Sequence, residues 1–165
     1  MNQVLPNLQP MDKPAEPLDS IPQHAVFFRL VVDDSSTSRG VPHVNNAEYV
    51  RWVDRAAELH CDLVGFTREI MLAADRMWFV ARHEIDYRGE CFVGDELIVA
   101  TWVGPFSRTT SLRNTLVYRE HDRKVALEAV TRWAYMDLVS RRPTRITDDI
   151  RAHFPLDPTM APPPR

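Results

Sequence analysis

One long apolar pattern constrains this chain more than any other feature of its sequence. From Asn46 onward, apolar side chains recur at the three-and-four spacing of one helical face, and no proline interrupts them. The pattern predicts a helix that ends near Gly65 and a shorter helical segment at residues 67–74. A helix with so apolar a face must be covered by other elements of its domain.

Strand-like segments lie on both sides of this helix. One precedes it, at residues 25–32, and four follow it, at residues 78–87, 96–103, 109–118 and 125–137. Short connections between the later segments favour antiparallel neighbours, which predicts a four-stranded meander. Residues 147–154 fit a short closing helix. The order predicts an α+β fold in which an antiparallel sheet of five to six strands wraps around one long central helix.

The segment at residues 109–118 carries polar and apolar side chains at alternate positions. Ser111, Arg113 and Thr115 share one parity, and Leu112 and Leu116 share the other. This alternation predicts a strand whose polar side chains face the wetter side of the sheet.

Composition limits the classes of protein to which the chain can belong. Of its 165 residues, 44% are hydrophobic and 26% are charged, as in a globular domain, and the formal net charge is −3. We expect no broad electropositive surface, which argues against nucleic acid as a partner. No stretch approaches the roughly 20 apolar residues that cross a bilayer, so we expect no membrane partner and a cytoplasmic location.

Proline-rich ends flank the domain. The prolines of residues 1–22 and 155–165 exclude helices there and predict a flexible or draped arm and a disordered tail. A single domain at residues 23–154 remains. Its two cysteines, Cys61 and Cys91, are too few and too far apart for a metal site or a disulfide framework, and we expect buried free thiols.

The sequence HVNNAEYVRWVDRAAELH at residues 43–60 contains the most specific motif. His43-Val44-Asn45-Asn46, followed by Tyr49, Trp52 and Asp54, resembles the signature of the 4-hydroxybenzoyl-CoA thioesterase family and of related acyl-CoA and acyl-carrier-protein thioesterases. Later landmarks are similar too, namely Ile85-Asp86-Tyr87, Gly94-Asp95, Met136-Asp137 and Arg142-Pro143.

The resemblance implies a hotdog-fold thioesterase that forms a homodimer or a dimer of dimers. It implies an acyl group linked to coenzyme A or to an acyl-carrier protein, bound at a subunit boundary. It also implies hydrolysis of the thioester without a metal or an organic cofactor.

Elementary chemistry makes the start of the long helix a suitable place for that reaction. Thioester hydrolysis needs an activated water and donors for the oxygen on which negative charge develops. Unpaired amides at a helix start are such donors. Asn45 is placed as an N-cap, with Glu48 three residues later as in a capping box. His43 is a candidate base or water-orienting group, and Glu48 is a further candidate base.

One departure from the family pattern leaves the catalytic carboxylate open. Related proteins usually place an aspartate a few residues before the histidine, with glycine directly before it, whereas Arg39 and Pro42 occupy those positions here. Asp33 and Asp34 lie further upstream, as though the loop were extended. A loop that folds back would present Asp34, which we favour. Otherwise the chemistry moves to His43, Asn45 or Glu48.

Five further residues are candidates for substrate binding: Asn46, Tyr49, Trp52, His83 and Arg88. Tyr49 and Trp52 fit either the core or the walls of an acyl pocket, and His83 fits either a cleft or an ordinary strand position. Arg88 is a candidate phosphate ligand because guanidinium pairs well with phosphate.

Three functions remain open from the sequence. The first is an acyl-CoA thioesterase, and the second is a hotdog domain that binds an acyl thioester or carrier protein without hydrolysing it. A hotdog dehydratase has less support, because the histidine and acid pair of that family is not apparent. The identity of the acyl chain is not readable from these residues.

Overall fold

The computed structural model describes residues 5–38 and 40–156. These residues form a seven-stranded antiparallel sheet and three α-helices. The strands are β1 Gln9–Met11, β2 Val26–Val31, β3 Arg76–Tyr87, β4 Glu96–Phe106, β5 Thr110–Arg119, β6 Val125–Asp137 and β7 Arg142–Pro143. The helices are α1 Asn46–Leu63, α2 Arg68–Ala73 and α3 Asp148–Ala152, and a 3-10 turn spans Asp34–Ser36. The predicted sheet around one long helix is confirmed, with β1 and the two-residue β7 as additions.

The order of the strands corrects the predicted four-stranded meander. The sheet runs β1-β2-β4-β5-β6-β3, with β7 beside the end of β6. β3 and β4 follow one another in sequence but are not neighbours, because residues 88–95 cross the open side of the curled sheet. This crossing segment is held by the Val44 amide, which donates to Cys91 O at 2.9 Å, and by the Gly94 amide, which donates to Val32 O at 2.8 Å.

Helix α1 begins and ends for local reasons that the sequence shows. The side chain of Asn45 caps its first turn, and Gly65, with φ of +74°, turns the chain into a left-handed conformation that favours glycine. The apolar face of α1 packs against β2, β4, β5 and β6. It contributes Tyr49, Trp52, Val53 and Ala56 to the main core cluster.

The polar face of β5 is buried, contrary to the sequence-based expectation. Ser111, Arg113 and Thr115 are 6%, 5% and 2% exposed. Arg113 contacts His60 of α1, so this parity faces the helix. The alternation does indicate a strand. The prediction that its polar side chains face the wetter side of the sheet is wrong, because they face α1.

The N-terminal arm lies along the sheet in the residues that the structure describes. β1 pairs with β2, and Leu8 and Ile21 are each only 6% exposed. The arm is therefore draped rather than free of the sheet from Leu8 to Ile21. Residues 1–4 and most of the predicted tail, residues 157–165, lie outside the described residues.

In the described part of the chain, no helix is both long enough and apolar enough to cross a membrane.

Candidate active site

The described residues of the loop before α1 fold back towards the start of the helix. Thr37 and Val44 form an antiparallel bridge, and the Asn45 amide donates to Ser36 O at 2.8 Å. Asp33 caps the 3-10 turn by accepting from the Ser35 hydroxyl and amide, and these hydrogen bonds hold its pKa below the usual range. The Asp34 side chain is exposed and makes no hydrogen bond or ion pair with the described residues.

The first turn of α1 leaves one amide available. Asn45 Oδ1 accepts from the Ala47 amide at 2.9 Å, and the Asn45 carbonyl accepts from the Glu48 amide at 2.9 Å. The amide of Asn46 has no partner among the described residues. Because the residue is exposed, this N–H can donate to an oxygen on which negative charge develops.

The cap at Asn45 is confirmed, whereas the capping box is wrong. In a capping box, the Glu48 carboxylate would accept from the Asn45 amide, but that amide donates to Ser36 O. Both Glu48 oxygens instead accept from Arg51 Nη1 at 2.8 Å. Both carboxylate oxygens of Glu48 are occupied by this ion pair, so the structure lends Glu48 little support as a catalytic base.

His43 is held at the start of α1 by a carboxylate that sequence reasoning missed. Its Nδ1 lies 3.0 Å from Glu90 Oε1, and His43 forms a bridge with Phe92. Glu90 belongs to the crossing segment, whose path was not expected, so no sequence signal placed it beside His43. The pairing leaves Nε2 of the same ring for a water or a substrate.

The aromatic candidates Tyr49 and Trp52 are core residues. They are 3% and 1% exposed, and their ring centroids lie 4.8 Å apart. Burial raises the pKa of the Tyr49 hydroxyl, which donates to Gly89 O at 3.4 Å. Tyr87 stacks edge-on against Tyr49 and donates to Asn46 O at 3.3 Å. The rings of Tyr49, Trp52 and Tyr87 thus pack together and hold the first turns of α1 in place.

A largely apolar cavity of about 390 Å³ lies further along α1. It follows the helix from Arg51 to Asp62 and is closed by β3 and by Met71, Phe106 and Phe154. None of the candidate site residues predicted from the sequence lines this cavity. A cavity therefore lies beside the helix, but later turns of α1 line it and the predicted binding residues do not.

Asp54 and His83 form a second acid and imidazole pair, at the rim of this cavity. His83 Nε2 lies 3.7 Å from Asp54 Oδ1, and His83 Nδ1 lies 2.9 Å from Thr131 Oγ1. Burial raises the pKa of Asp54, and the His83 charge opposes that shift. Both ring nitrogens of His83 thus have polar neighbours, which favours the ordinary strand position. Asp54, part of the motif that carries the resemblance, contacts this histidine.

Arg88 is already shared by two carboxylates. Its Nη2 lies 3.2 Å from Asp86 Oδ2 and 2.9 Å from Glu128 Oε2. A phosphate would have to compete with both, so the geometry does not favour Arg88 as a ligand for coenzyme A.

The sequence matches a protein family model and a curated thioester hydrolase. Residues 41–154 match the model of the thioesterase-like superfamily. Acyl-[acyl-carrier-protein] hydrolase FATB3, chloroplastic, of Cuphea viscosissima is 26% identical over 136 residues, which cover 78% of this chain and 33% of that protein. The chain thus spans about a third of the length of this curated relative.

Solved thioesterases share the fold at low identity. The 1,4-dihydroxy-2-naphthoyl-CoA thioesterase Slr0204 from Synechocystis has a TM-score of 0.72 at 14% identity, covering 78% of this chain and 94% of that chain. The 12:0-ACP thioesterase from Umbellularia californica has a TM-score of 0.71 at 19% identity, covering 81% of this chain and 52% of that chain. With a family model that matches most of its length and an antiparallel sheet curled around one long helix, the chain belongs to the thioesterase-like superfamily and has the hotdog fold.

Proposed function

We propose that this chain hydrolyses an acyl thioester of coenzyme A or of an acyl-carrier protein to the free acid and the thiol. Membership of the thioesterase-like superfamily supports the reaction. The observation that carries the proposed site is the amide of the exposed residue Asn46, which has no partner among the described residues and lies three residues after His43, the partner of Glu90.

In this mechanism the thioester carbonyl oxygen accepts from the Asn46 amide. The N-terminal end of the helix dipole favours the anion that forms there. His43 Nε2 takes a proton from water as the water oxygen attacks the carbonyl carbon, while Glu90 stabilises the imidazolium. The tetrahedral intermediate then collapses, the carbon–sulfur bond breaks, and the thiolate leaves with the proton that His43 returns.

Asp34 is the second candidate for the base. It lies in the 3-10 turn, two residues from Ser36, whose carbonyl accepts from the Asn45 amide. Its carboxylate makes no contact with the start of α1 in the described structure, so a role for Asp34 needs movement of the loop. His43 lies three residues before Asn46 and is held by Glu90, and we therefore place it first.

We also propose the cofactor requirement, the compartment and the oligomeric state of the protein. The reaction as written uses water and side chains alone, so we propose that no metal or organic cofactor takes part. The free thiols of Cys61 and Cys91 fit a reducing compartment such as the cytoplasm. β3 is a long bare edge strand with exposed Phe79 and Val80, and we propose that two copies pair there as a homodimer.

Release of free thiol from a panel of aliphatic and aromatic acyl-CoAs and acyl-carrier proteins tests the activity. Turnover above a heat-denatured control is expected for at least one of them. Tight binding of acyl-CoA with no thiol release would instead select the non-hydrolytic binding protein. That alternative has one observation in its favour, since the exposed Asp34 carboxylate makes no hydrogen bond or ion pair with the described residues.

A further inference from the structure

Arg113 is a buried cation beneath α1. It lies on the helix-facing side of β5 and is 5% exposed. Its Nη1 lies 2.9 Å from His60 Nδ1 and 3.3 Å from Thr101 Oγ1. The remaining guanidinium nitrogens, Nε and Nη2, make no hydrogen bond with the described residues.

No anion in the described structure balances this charge. No carboxylate forms an ion pair with Arg113, and burial lowers the pKa of His60 to about 3, so His60 is a neutral acceptor. Burial also raises the pKa of Cys61, which leaves a neutral thiol beside the guanidinium. Arginine does not shed its proton in proteins, and a buried charge without a counterion is strongly unfavourable.

Arg113 lines the cavity beside α1, whose walls are otherwise mostly apolar. The apolar lining includes Met71, Met77, Trp78, Val103, Phe106 and Phe154. Ser111 and Trp133 line it too, as register partners on β5 and β6, and Trp133 Nε1 is buried without a hydrogen-bond partner in the described residues. Arg113 on β5 and Trp133 on β6 therefore both carry donors that no described residue uses, whereas the Ser111 hydroxyl donates to Leu112 O.

The carboxylates on α1 do not satisfy this guanidinium. Glu58 is paired with Arg55 at 2.6 Å, Asp54 is half exposed beside His83, and Asp62 lies on the exposed last turn. They form the solvent side of the cavity, whereas Arg113 lies on the sheet side. A carboxylate that reaches Arg113 therefore comes from outside the described residues, and a bound ligand can supply it.

We propose that the cavity takes an acyl group whose far end carries a carboxylate, bound by Arg113. The assignment rests on the proposed thioesterase function and names its substrate class, the ω-carboxyacyl thioesters. Along α1, fourteen residues separate Asn46 from His60, which corresponds to about 21 Å at the helical rise. Because the cavity begins at Arg51, an acyl chain with its thioester at the start of α1 and its carboxylate at the guanidinium must be long and must run along the first turn of α1 before it enters the cavity.

A turnover experiment compares hexadecanedioyl-CoA with palmitoyl-CoA. The two substrates differ only at the far end of the acyl chain, which is a carboxylate in the first and a methyl group in the second. For the wild-type protein, kcat/KM is expected to be at least tenfold higher for hexadecanedioyl-CoA. Arg113→Met, which keeps length and removes charge, is expected to reverse the preference, and Arg113→Lys to retain part of it. Trp133→Phe is the matched donor deletion, and it should lower the preference less than Arg113→Met does.

A binding experiment tests the anion site without requiring hydrolysis. Calorimetry with dodecanoate and dodecanol is expected to show at least tenfold tighter binding of the carboxylate, lost in Arg113→Met. Circular dichroism of each variant checks that it is folded.

The outcomes separate the two proposals. If no acyl thioester is hydrolysed but dodecanoate binding depends on Arg113, the thioesterase function fails and the anion site stands. If palmitoyl-CoA is hydrolysed at least as well as hexadecanedioyl-CoA, the ω-carboxyacyl assignment is overturned while the thioesterase function stands. Equal binding of dodecanoate and dodecanol overturns the anion site itself.

Discussion

His43 and Glu90 give the proposed chemistry its most direct test. His43→Gln is expected to lower kcat by about two orders of magnitude or more, because a positioned base is lost. Glu90→Gln removes the charge that stabilises the imidazolium and is expected to lower kcat less. Thiol release under saturating substrate measures both.

His121→Gln is the matched control, since His121 is an exposed histidine on the turn between β5 and β6. It is expected to leave kcat unchanged. If His43→Gln retains wild-type kcat while Asp34→Asn loses it, the base is Asp34 and the loop before α1 moves during the reaction.

His60 makes stability depend on pH. Burial lowers its folded pKa to about 3, below the ordinary histidine value of 6.5, so the unfolded chain binds a proton first as the pH falls. Stability from this group is complete above about pH 6.5 and is lost progressively towards pH 3. Between pH 7 and pH 5 the loss from this group is about 2 kcal/mol.

His60→Gln keeps an acceptor for Arg113 but cannot be protonated in this range. Urea unfolding at the two pH values is expected to show a smaller pH-dependent loss for His60→Gln than for the wild type. His121→Gln, at an exposed position, should show the wild-type loss. An equal loss in all three proteins would contradict the buried neutral state of His60.

Sequence reasoning found some of these residues and missed others for a physical reason. His43 and Asn45 lie in one continuous motif beside the helix they serve, so local spacing was enough to find them. Glu90 and Arg113 acquire their roles only through contacts with residues far away in the chain, across 47 and 53 positions. Nothing in their local sequence indicates those contacts.

At the scale of elements, hydrophobic periodicity predicts which segments form helices and strands. It does not always predict which elements are neighbours or which face of a strand is buried. The start of α1, its end before Gly65 and the strand β6 agree with the expected boundaries. The positions of β3 and of the polar face of β5 do not, because both depend on how the sheet curls around α1. Alternation identifies two faces of a strand, but a buried polar face reads like an exposed one.

The edge strand β3 carries the proposed dimer contact. A double substitution, Phe79→Lys with Val80→Lys, places two charges on this bare edge and should raise the dimer dissociation constant at least tenfold. Sedimentation velocity over a concentration series measures it. Val139→Lys, at a 76% exposed turn position, is the control that should leave association unchanged. A wild-type protein that stays monomeric at high concentration would refute pairing through β3.

At the scale of the whole molecule, the N-terminal arm protects the opposite edge of the sheet. Deleting residues 1–14 would uncover β2, whose Phe27 and Phe28 then lie on a strand with unpaired backbone groups. We expect faster aggregation on mild heating, measured by light scattering. Substituting the exposed Leu5 by Ser while keeping β1 intact is the control. Equal scattering from both proteins would show that β1 does not protect this edge.

The two borders of the sheet are chemically unlike, and this limits how copies can associate. β1 is three residues long, and its Pro10 has no amide proton to offer a further strand, whereas β3 is twelve residues long and bare. If two copies pair through β3 as proposed, each uses the one long unpaired edge that the described residues leave. Growth stops at a closed pair, and a fibre would require the proline-bearing border to accept a strand that it is poorly equipped to hold.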